Sequence, residues 1–272
     1  MNTVSDPFQS ELINRRERSA NVIAVLASIL PGHAILSSHE ETGPYECDGL
    51  TAYRQRPLAV VLPETESQVQ AVLQACHALG VPVVARGAGT GLSGGAMPDP
   101  HGVTLSMAKF NKIVRIDPFS RTAVVQCGVR NLAISEAAAP HNLYYAPDPS
   151  SQIACTIGGN VAENSGGVHC LKYGLTLHNV LRVRGYTAEG DLVEFGSEAL
   201  DAAGLDLLPL VIGSEGMLAV TLEVTVKLLP RPQLARCIMA SFGDIRHAGN
   251  AVAAVIAAGI IPAGLEMMDK PM

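Results

Sequence analysis

The stretch Val83-Val84-Ala85-Arg86-Gly87-Ala88-Gly89-Thr90-Gly91-Leu92-Ser93-Gly94-Gly95-Ala96-Met97-Pro98 decides the fold. It opens as a buried strand and turns abruptly into a loop. Five of the nine residues from Gly87 to Gly95 are glycine. With so few side chains, backbone N–H groups can close on an anion, and positive φ costs nothing. The diphosphate of a nucleotide cofactor is the natural guest. Gly89-x-Gly91-x-x-Gly94 formally matches the Rossmann dinucleotide fingerprint, but that fingerprint must open a helix. Gly95-Ala96-Met97-Pro98-Asp99-Pro100 cannot propagate one. No Gly-Lys-Ser/Thr closes the loop, which excludes a P-loop NTPase. The phosphates must therefore be held by loop amides without a helix dipole behind them. A flexible surface loop is the rival reading, and the strand leading directly into this one argues against it.

Working outward, residues 58–62 read as a strand halted at Pro63. Val69, Val72, Leu73, Cys76 and Leu79 recur at helical spacing, with Gly80 as C-cap. Residues 81–85 form the next strand, so a βαβ unit delivers the loop. Downstream, residues 103–107, 113–116 and 123–127 read as strands and 129–139 as a helix. A second glycine-rich segment, Ile157-Gly158-Gly159-Asn160-Val161-Ala162-Glu163-Asn164-Ser165-Gly166-Gly167, holds four glycines and two asparagines. Read as a loop, it could lie flat against a ring system, with Asn side chains meeting its polar edge. Residues 180–186 and 192–195 form a hairpin around Glu189-Gly190, and 222–228 alternate like a strand with one wet face. Pro230 and Pro232 punctuate the chain before a fresh start: strand 237–242, helix 248–258 and strand 260–266. One βαβ unit cannot close a core, so the sequence reads as the N-terminal part of a longer protein.

The chain has 272 residues, 48% hydrophobic and 16% charged, enough for one large or two modest domains. Its net charge of −6, with 4% aromatic residues and no Trp, argues against nucleic acid. The six cysteines stand singly, which reads as free thiols in a reducing compartment. The eight histidines show no metal-ligand spacing. Arg15, Arg16 and Arg18 before the apolar run 22–30 loosely imitate a signal peptide, but Asp6, Glu11 and Glu17 spoil it. Leu12, Val22, Ile23, Leu26, Ile29 and Leu30 instead fit one face of a helix. The apolar run 251–261 is too short to span a bilayer. The expectation is a cytoplasmic chain without a transmembrane segment.

Four motifs then occur in order: the loop 86–95, Ala146-Pro147-Asp148, the segment 157–167, and Gly213-Ser214-Glu215-Gly216-Met217-Leu218. Together they resemble the FAD domain of the vanillyl-alcohol oxidase/p-cresol methylhydroxylase superfamily. Tyr45-Glu46-Cys47-Asp48-Gly49-Leu50, residues 141–155 and Gly264-Leu265-Glu266-Met267-Met268-Asp269 narrow the likeness to the flavoprotein subunits of bacterial glycolate oxidases. The resemblance covers nearly the whole chain and implies an α+β, two-subdomain FAD-binding fold of the p-cresol methylhydroxylase type. The first βαβ of a ferredoxin-like cap domain would follow it. The divisions implied are a helical arm over 1–55, the FAD-binding domain over 56–232 and a truncated cap domain over 233–272.

The resemblance also implies site residues. The backbone of Arg86, Gly87, Ala88, Gly89, Thr90, Gly91, Leu92 and Ser93 would hold the diphosphate. Pro147, Asp148, Ala154 and Cys155 would lie along the cofactor's middle. Gly158, Gly159, Asn160, Ala162, Asn164 and Gly167 would line the flavin side, and Glu215, Gly216 and Val220 the adenosine side. Some superfamily members tether the flavin through a histidine in the first loop; this one has Thr90 near that place, so the FAD is expected to be non-covalent.

The implied reaction is FAD-dependent oxidation of a small 2-hydroxy acid, glycolate or D-lactate. Electrons would leave to a second flavoprotein-like subunit and an iron–sulfur subunit, which could hold the protein at the inner membrane. A non-catalytic FAD-binding subunit and a same-fold reductase, such as one acting on a nucleotide-sugar enoyl ether, stay open. No catalytic residue is assigned and no metal site is expected within the chain, which is expected to turn over nothing alone. His169 and Lys172 could face the flavin, but a lone histidine is more often structural. Asp148 between two prolines could simply close an Asx turn.

Overall fold

A computed structural model describes residues 7–199 and 204–269, with side chains from residue 17 onward. Residues 1–6 of the expected arm and 270–272 of the expected cap segment lie outside them, as does the side chain of Leu12. The chain opens with α1 (Pro7–Ile29), β1 (Ile35–Leu36) and the single turn α2 (His39–Thr42). Next come β2 (Ala59–Val61), α3 (Glu66–Ala78), β3 (Val83–Arg86) and β4 (Val103–Ser106). These strands make a four-stranded sheet of order β1-β2-β4-β3. β2, β4 and β3 run parallel, and β1 is antiparallel at the edge. The loop after β3 therefore leaves a parallel sheet at its C-terminal edge, where α/β sheets bind ligands.

Local sequence explains α3. Thr65 and Gln68 close a capping box at its start, and Gly80 takes φ +60° just past its end. Val69, Val72, Leu73 and Cys76 are its buried face. They pack with Val22 and Leu26 of α1, with Leu30 just after it, and with Val61 and Leu105 of the sheet. Burying Leu26 and Leu73 fully contributes about 1.5–3 kcal/mol each. The arm is thus part of this core and gives the sheet its edge strand.

A second, wholly antiparallel sheet follows. It contains β5 (Ile113–Asp117) and β6 (Thr122–Gln126), then, after α4 (Asn131–Ala138), β7 (Leu143–Tyr144) and α5 (Ile157–Glu163), the later strands. Two single turns, α6 (Cys170–Tyr173) and α7 (Thr176–Asn179), lead to β8 (Val180–Tyr186) and β9 (Leu192–Gly196). Another single turn, α8 (Leu208–Val211), precedes β10 (Val220–Lys227). The order is β5-β6-β10-β8-β9. β11 (Leu229–Pro230) pairs with β7. Tyr186, Val220 and Leu222 join the first core, so the two sheets pack as one body.

Two elements differ from the sequence reading. Residues 157–163 of the second glycine-rich segment are not a loop but the helix α5. Ile157 and Val161, at i and i+4, are its buried stripe, and Asn164 ends it at φ +51°. In the tail only the helix forms, as α9 (Ile245–Ala257), and the expected strands 237–242 and 260–266 have no ladder partner among the described residues. The physical reason is topological. A split βαβ leaves a gap between its two strands that a third strand must fill, and an extended segment without a neighbour gains no ladder.

Candidate functional site

A cleft of about 720 Å³ opens where the loop after β3 faces α5 and the start of β10. That is within the usual range for a small-molecule site, about 300–1,000 Å³. Its lining includes Ala85, Met107, Cys127, Thr156 and Ser214 besides the two glycine-rich segments.

Backbone donors set its chemistry. Among the described residues, no N–H group from residue 87 to residue 96 donates to a protein acceptor. Residues 87–96 are half-buried or exposed, so these amides are free of protein acceptors and open to an anion that enters the cleft. Behind them lies the buried Arg86. Its guanidinium occupies the space a Cβ on Gly89 would need, Gly89 has φ +69°, and Nη1 donates to Cys47 O at 2.8 Å. The Arg86 side chain also sits 5.5 Å from the Tyr45 ring centroid. Burial lowers its pKa, and nearby Asp48 counters that. The loop thus has a buried cation behind it, in the place of a helix dipole.

Across the cleft, the Thr156 hydroxyl is buried without a hydrogen-bond partner. A Cβ on Gly87 would fall on Thr156 Oγ1 and would stand 3.8 Å from Gly159 N. Gly87, Thr156 and Gly159 therefore enclose one narrow, donor-rich spot. The far end of the loop is different. Ser93 Oγ donates to Glu163 Oε2 at 3.0 Å. Glu163 Oε1 lies 3.2 Å from the Cβ position of Gly91 and 2.9 Å from that of Gly95, where Glu215 Oε2 stands at 3.3 Å. Asn164 and Glu215 are both non-glycine residues in the left-handed region, at φ +51° and +53°. Each is tied down, Asn164 Oδ1 by Leu177 N at 3.0 Å and Glu215 N to Ala162 O at 2.9 Å. Over-determined backbone strain of this kind gathers at functional sites.

Of the residues expected at the site, Arg86, Gly87, Ala88, Gly89, Thr90, Gly91 and Leu92 line the cleft. So do Cys155, Gly158, Gly159, Asn160, Ala162, Asn164, Gly167, Glu215, Gly216 and Val220. Ser93, Pro147, Asp148 and Ala154 do not reach it directly. Pro147 O accepts the Asn131 amide at 2.9 Å, and Asn131 Oδ1 accepts the Asn160 amide at 2.9 Å. The Asn160 amide nitrogen therefore serves a buried network beneath the cleft. Asp148 Oδ1 accepts His169 N at 3.2 Å, and Oδ2 pairs with His169 Nδ1 at 2.5 Å. That pair holds the turn after Gly167, so Asp148 and His169 shape the cleft wall from behind. Lys172 lies 5.4 Å over the Tyr173 ring.

The thiols nearby are quiet. Burial pushes Cys127 up to about 12 and raises Cys155 as well, so neither is a ready nucleophile. Sequence reasoning missed Thr156, Glu163 and Glu266, which also line the cleft. Thr156 was passed over because the segment it opens reads as a loop and not as a helix; Glu163 and Glu266 carried no local signal.

Two known protein families match the chain. The FAD binding domain family matches residues 57–196, and the C-terminal domain of FAD linked oxidases matches 231–272. The chain is 64% identical over 250 residues to the glycolate oxidase subunit GlcD of Escherichia coli K12, covering 92% of this chain and 50% of that protein. It is 36% identical over 212 residues to a D-lactate dehydrogenase of Archaeoglobus fulgidus, covering 78% of this chain and 47% of the relative. The chain thus spans about half the length of the curated relatives it matches. Among solved structures, alkyldihydroxyacetonephosphate synthase superposes with a TM-score of 0.77 at 21% identity, over 90% of this chain and 47% of that one. At that identity the likeness speaks for the fold alone.

Proposed function

The chain belongs to the FAD binding domain family, and from there we propose that it is the cofactor-holding part of an FAD-dependent dehydrogenase of small 2-hydroxy acids. Glycolate is the first substrate and D-lactate the second. The observation that carries the cofactor half is the run of unpartnered N–H groups over residues 87–96, set between the buried Arg86 cation and the orphaned Thr156 hydroxyl. These residues fit FAD: a Cβ at Gly87 would fill the cradle, and the donors suit a diphosphate. The substrate half rests on the relatives named glycolate oxidase subunit and D-lactate dehydrogenase.

Bound FAD supplies the hydride acceptor that no side chain provides. The protein's part is placement. Loop amides hold the diphosphate, Arg86 supports them electrostatically, Gly159 keeps the opposing helix face low, and Gly158 lets that helix pack closely on Cys127. Thr90 stands where a tethering histidine would, and the attachment is non-covalent. Electrons leave to partner subunits, a second flavoprotein-like chain and an iron–sulfur protein, and not directly to oxygen.

The test is anaerobic reduction of the full-length flavoprotein. Glycolate should bleach the oxidised-flavin absorbance, and denaturation should release free FAD. No bleaching, alone or with partner subunits, would mark a non-catalytic FAD subunit. NADPH oxidation without glycolate bleaching would mark a reductase instead.

A further inference from the structure

Outside the cleft, a short turn ahead of β2 packs against the back of the glycine loop. A Cβ on Gly49 would fall 2.7 Å from Gly91 O and 2.9 Å from Thr90 O, so two loop carbonyls press against this one residue. Both obstacles are backbone, and only glycine allows the approach. A peptide unit is planar and trans, so each carbonyl points opposite to the N–H that follows it. With the Thr90 and Gly91 carbonyls turned toward Gly49, the N–H groups of Gly91 and Leu92 turn away from it. That side is the cleft, which Thr90, Gly91 and Leu92 line and Gly49 does not. Neither N–H group donates to a protein acceptor among the described residues.

Asp48 holds that turn in place. It is buried, and its Oδ1 accepts Leu50 N at 2.9 Å across Gly49. Its Oδ2 is buried with no partner, a cost that an interior tolerates only with a cation close by. Arg86 is that cation. Its Nη1 donates to the carbonyl of neighbouring Cys47 at 2.8 Å, and the Asp48 carboxylate acts on the guanidinium through space. The same guanidinium fills the space beside Gly89, so turn, cation and loop form one unit. Resting on the reading that FAD fills this cleft, we propose that Gly49 and Asp48 are positioning residues for its diphosphate. Gly49 aims the Gly91 and Leu92 amides into the cleft, and Asp48 keeps Gly49 against the loop. Neither residue lines the cleft, yet the cradle is incomplete without the turn they make.

The experiment is calorimetric titration of the flavin-free full-length protein with FAD and separately with ADP, which carries a diphosphate without the flavin ring. Gly49→Ala puts a methyl group against two backbone oxygens and turns the loop amides, so both ligands should bind about tenfold more weakly or worse. Asp48→Ala frees the turn and should give the same joint loss. Asp48→Asn keeps an oxygen for Leu50 N–H and should restore most of the affinity for both ligands. A loss for FAD without one for ADP would overturn the proposal by placing the effect at the flavin end. So would unchanged affinity in Gly49→Ala or Asp48→Ala, or an Asp48→Asn variant as weak as Asp48→Ala. Native protein that binds FAD but not ADP would overturn it as well, because the loop amides would then contribute no affinity of their own. Native protein that binds neither ligand would instead bring down the cofactor reading, and the positioning role with it. Far-ultraviolet circular dichroism and the melting temperature of each ligand-free variant separate a binding loss from misfolding. If Gly49→Ala does not fold, the two Asp48 variants decide the matter.

Discussion

Gly87 and Thr156 meet across the cleft, and their substitutions should separate stability from binding. Thr156→Val keeps the shape and removes a buried hydroxyl that has no partner and makes no cap bond to α5. Folding stability should stay level or rise by about 1 kcal/mol, while FAD affinity falls about tenfold. Paired denaturant melts and FAD titrations check this, and a clear loss of stability would show that the hydroxyl has a protein partner after all. Gly87→Ala drives a Cβ onto Thr156 Oγ1 and should cost about 1–3 kcal/mol as well as cofactor binding. Adding Thr156→Ala should restore about 1 kcal/mol, a coupling that a double-mutant cycle reads directly. At this scale the sequence was a good guide to the glycine loop, because close backbone approach leaves its mark in composition. It was a poor guide to Glu163, whose partner Ser93 lies 70 residues away.

Helix α5 shows how an element can hide in its own composition. Two successive glycines lower helix propensity by about 1 kcal/mol each, which is why the segment reads as a loop. The buried stripe of Ile157 and Val161 outweighs that cost against β10. The glycines are not equivalent. A Cβ on Gly158 would stand 2.7 Å from Cys127 Cβ, whereas one on Gly159 would meet only Thr156 Oγ1 at 3.5 Å. Gly158→Ala should therefore destabilise by about 1–3 kcal/mol through overpacking. Gly159→Ala should stabilise by about 0.5–1 kcal/mol, yet weaken FAD by raising the helix face toward the cleft. Urea midpoints of the two variants should move in opposite directions, and movement in the same direction would refute the assignment of faces. The βαβ that brings in the loop was legible from periodicity. The expected tail strands did not form because periodicity identifies a strand's character but not its neighbour.

At the scale of the molecule, what joins the parallel sheet to the antiparallel one is only partly apolar. Glu66 in the first turn of α3 takes a two-pronged pair from Arg184 on β8, at 2.9 and 2.5 Å, across 118 residues of sequence. Gln70 adds a bond to Gly190 O at 2.9 Å. No local pattern encodes such a contact, since it exists only once both sheets are built and packed. The hydrogen bond from Arg184 holds the Glu66 carboxyl below its ordinary value, with burial opposing. A carboxylate depressed in the folded state stabilises above its unfolded pKa, about 4.3, and loses that contribution as pH falls through the folded value. Because the Glu66 side chain is 38% exposed, solvent screening limits the pair to about 0.5–1 kcal/mol. Glu66→Gln should therefore be less stable than the native chain by that amount near neutral pH. The gap should narrow toward zero as pH falls through the acid range and shrink with added salt. Urea melts of both proteins across that range provide the measurement. A gap that stays constant or widens on acidification would mean that the contact between the sheets is held by packing alone.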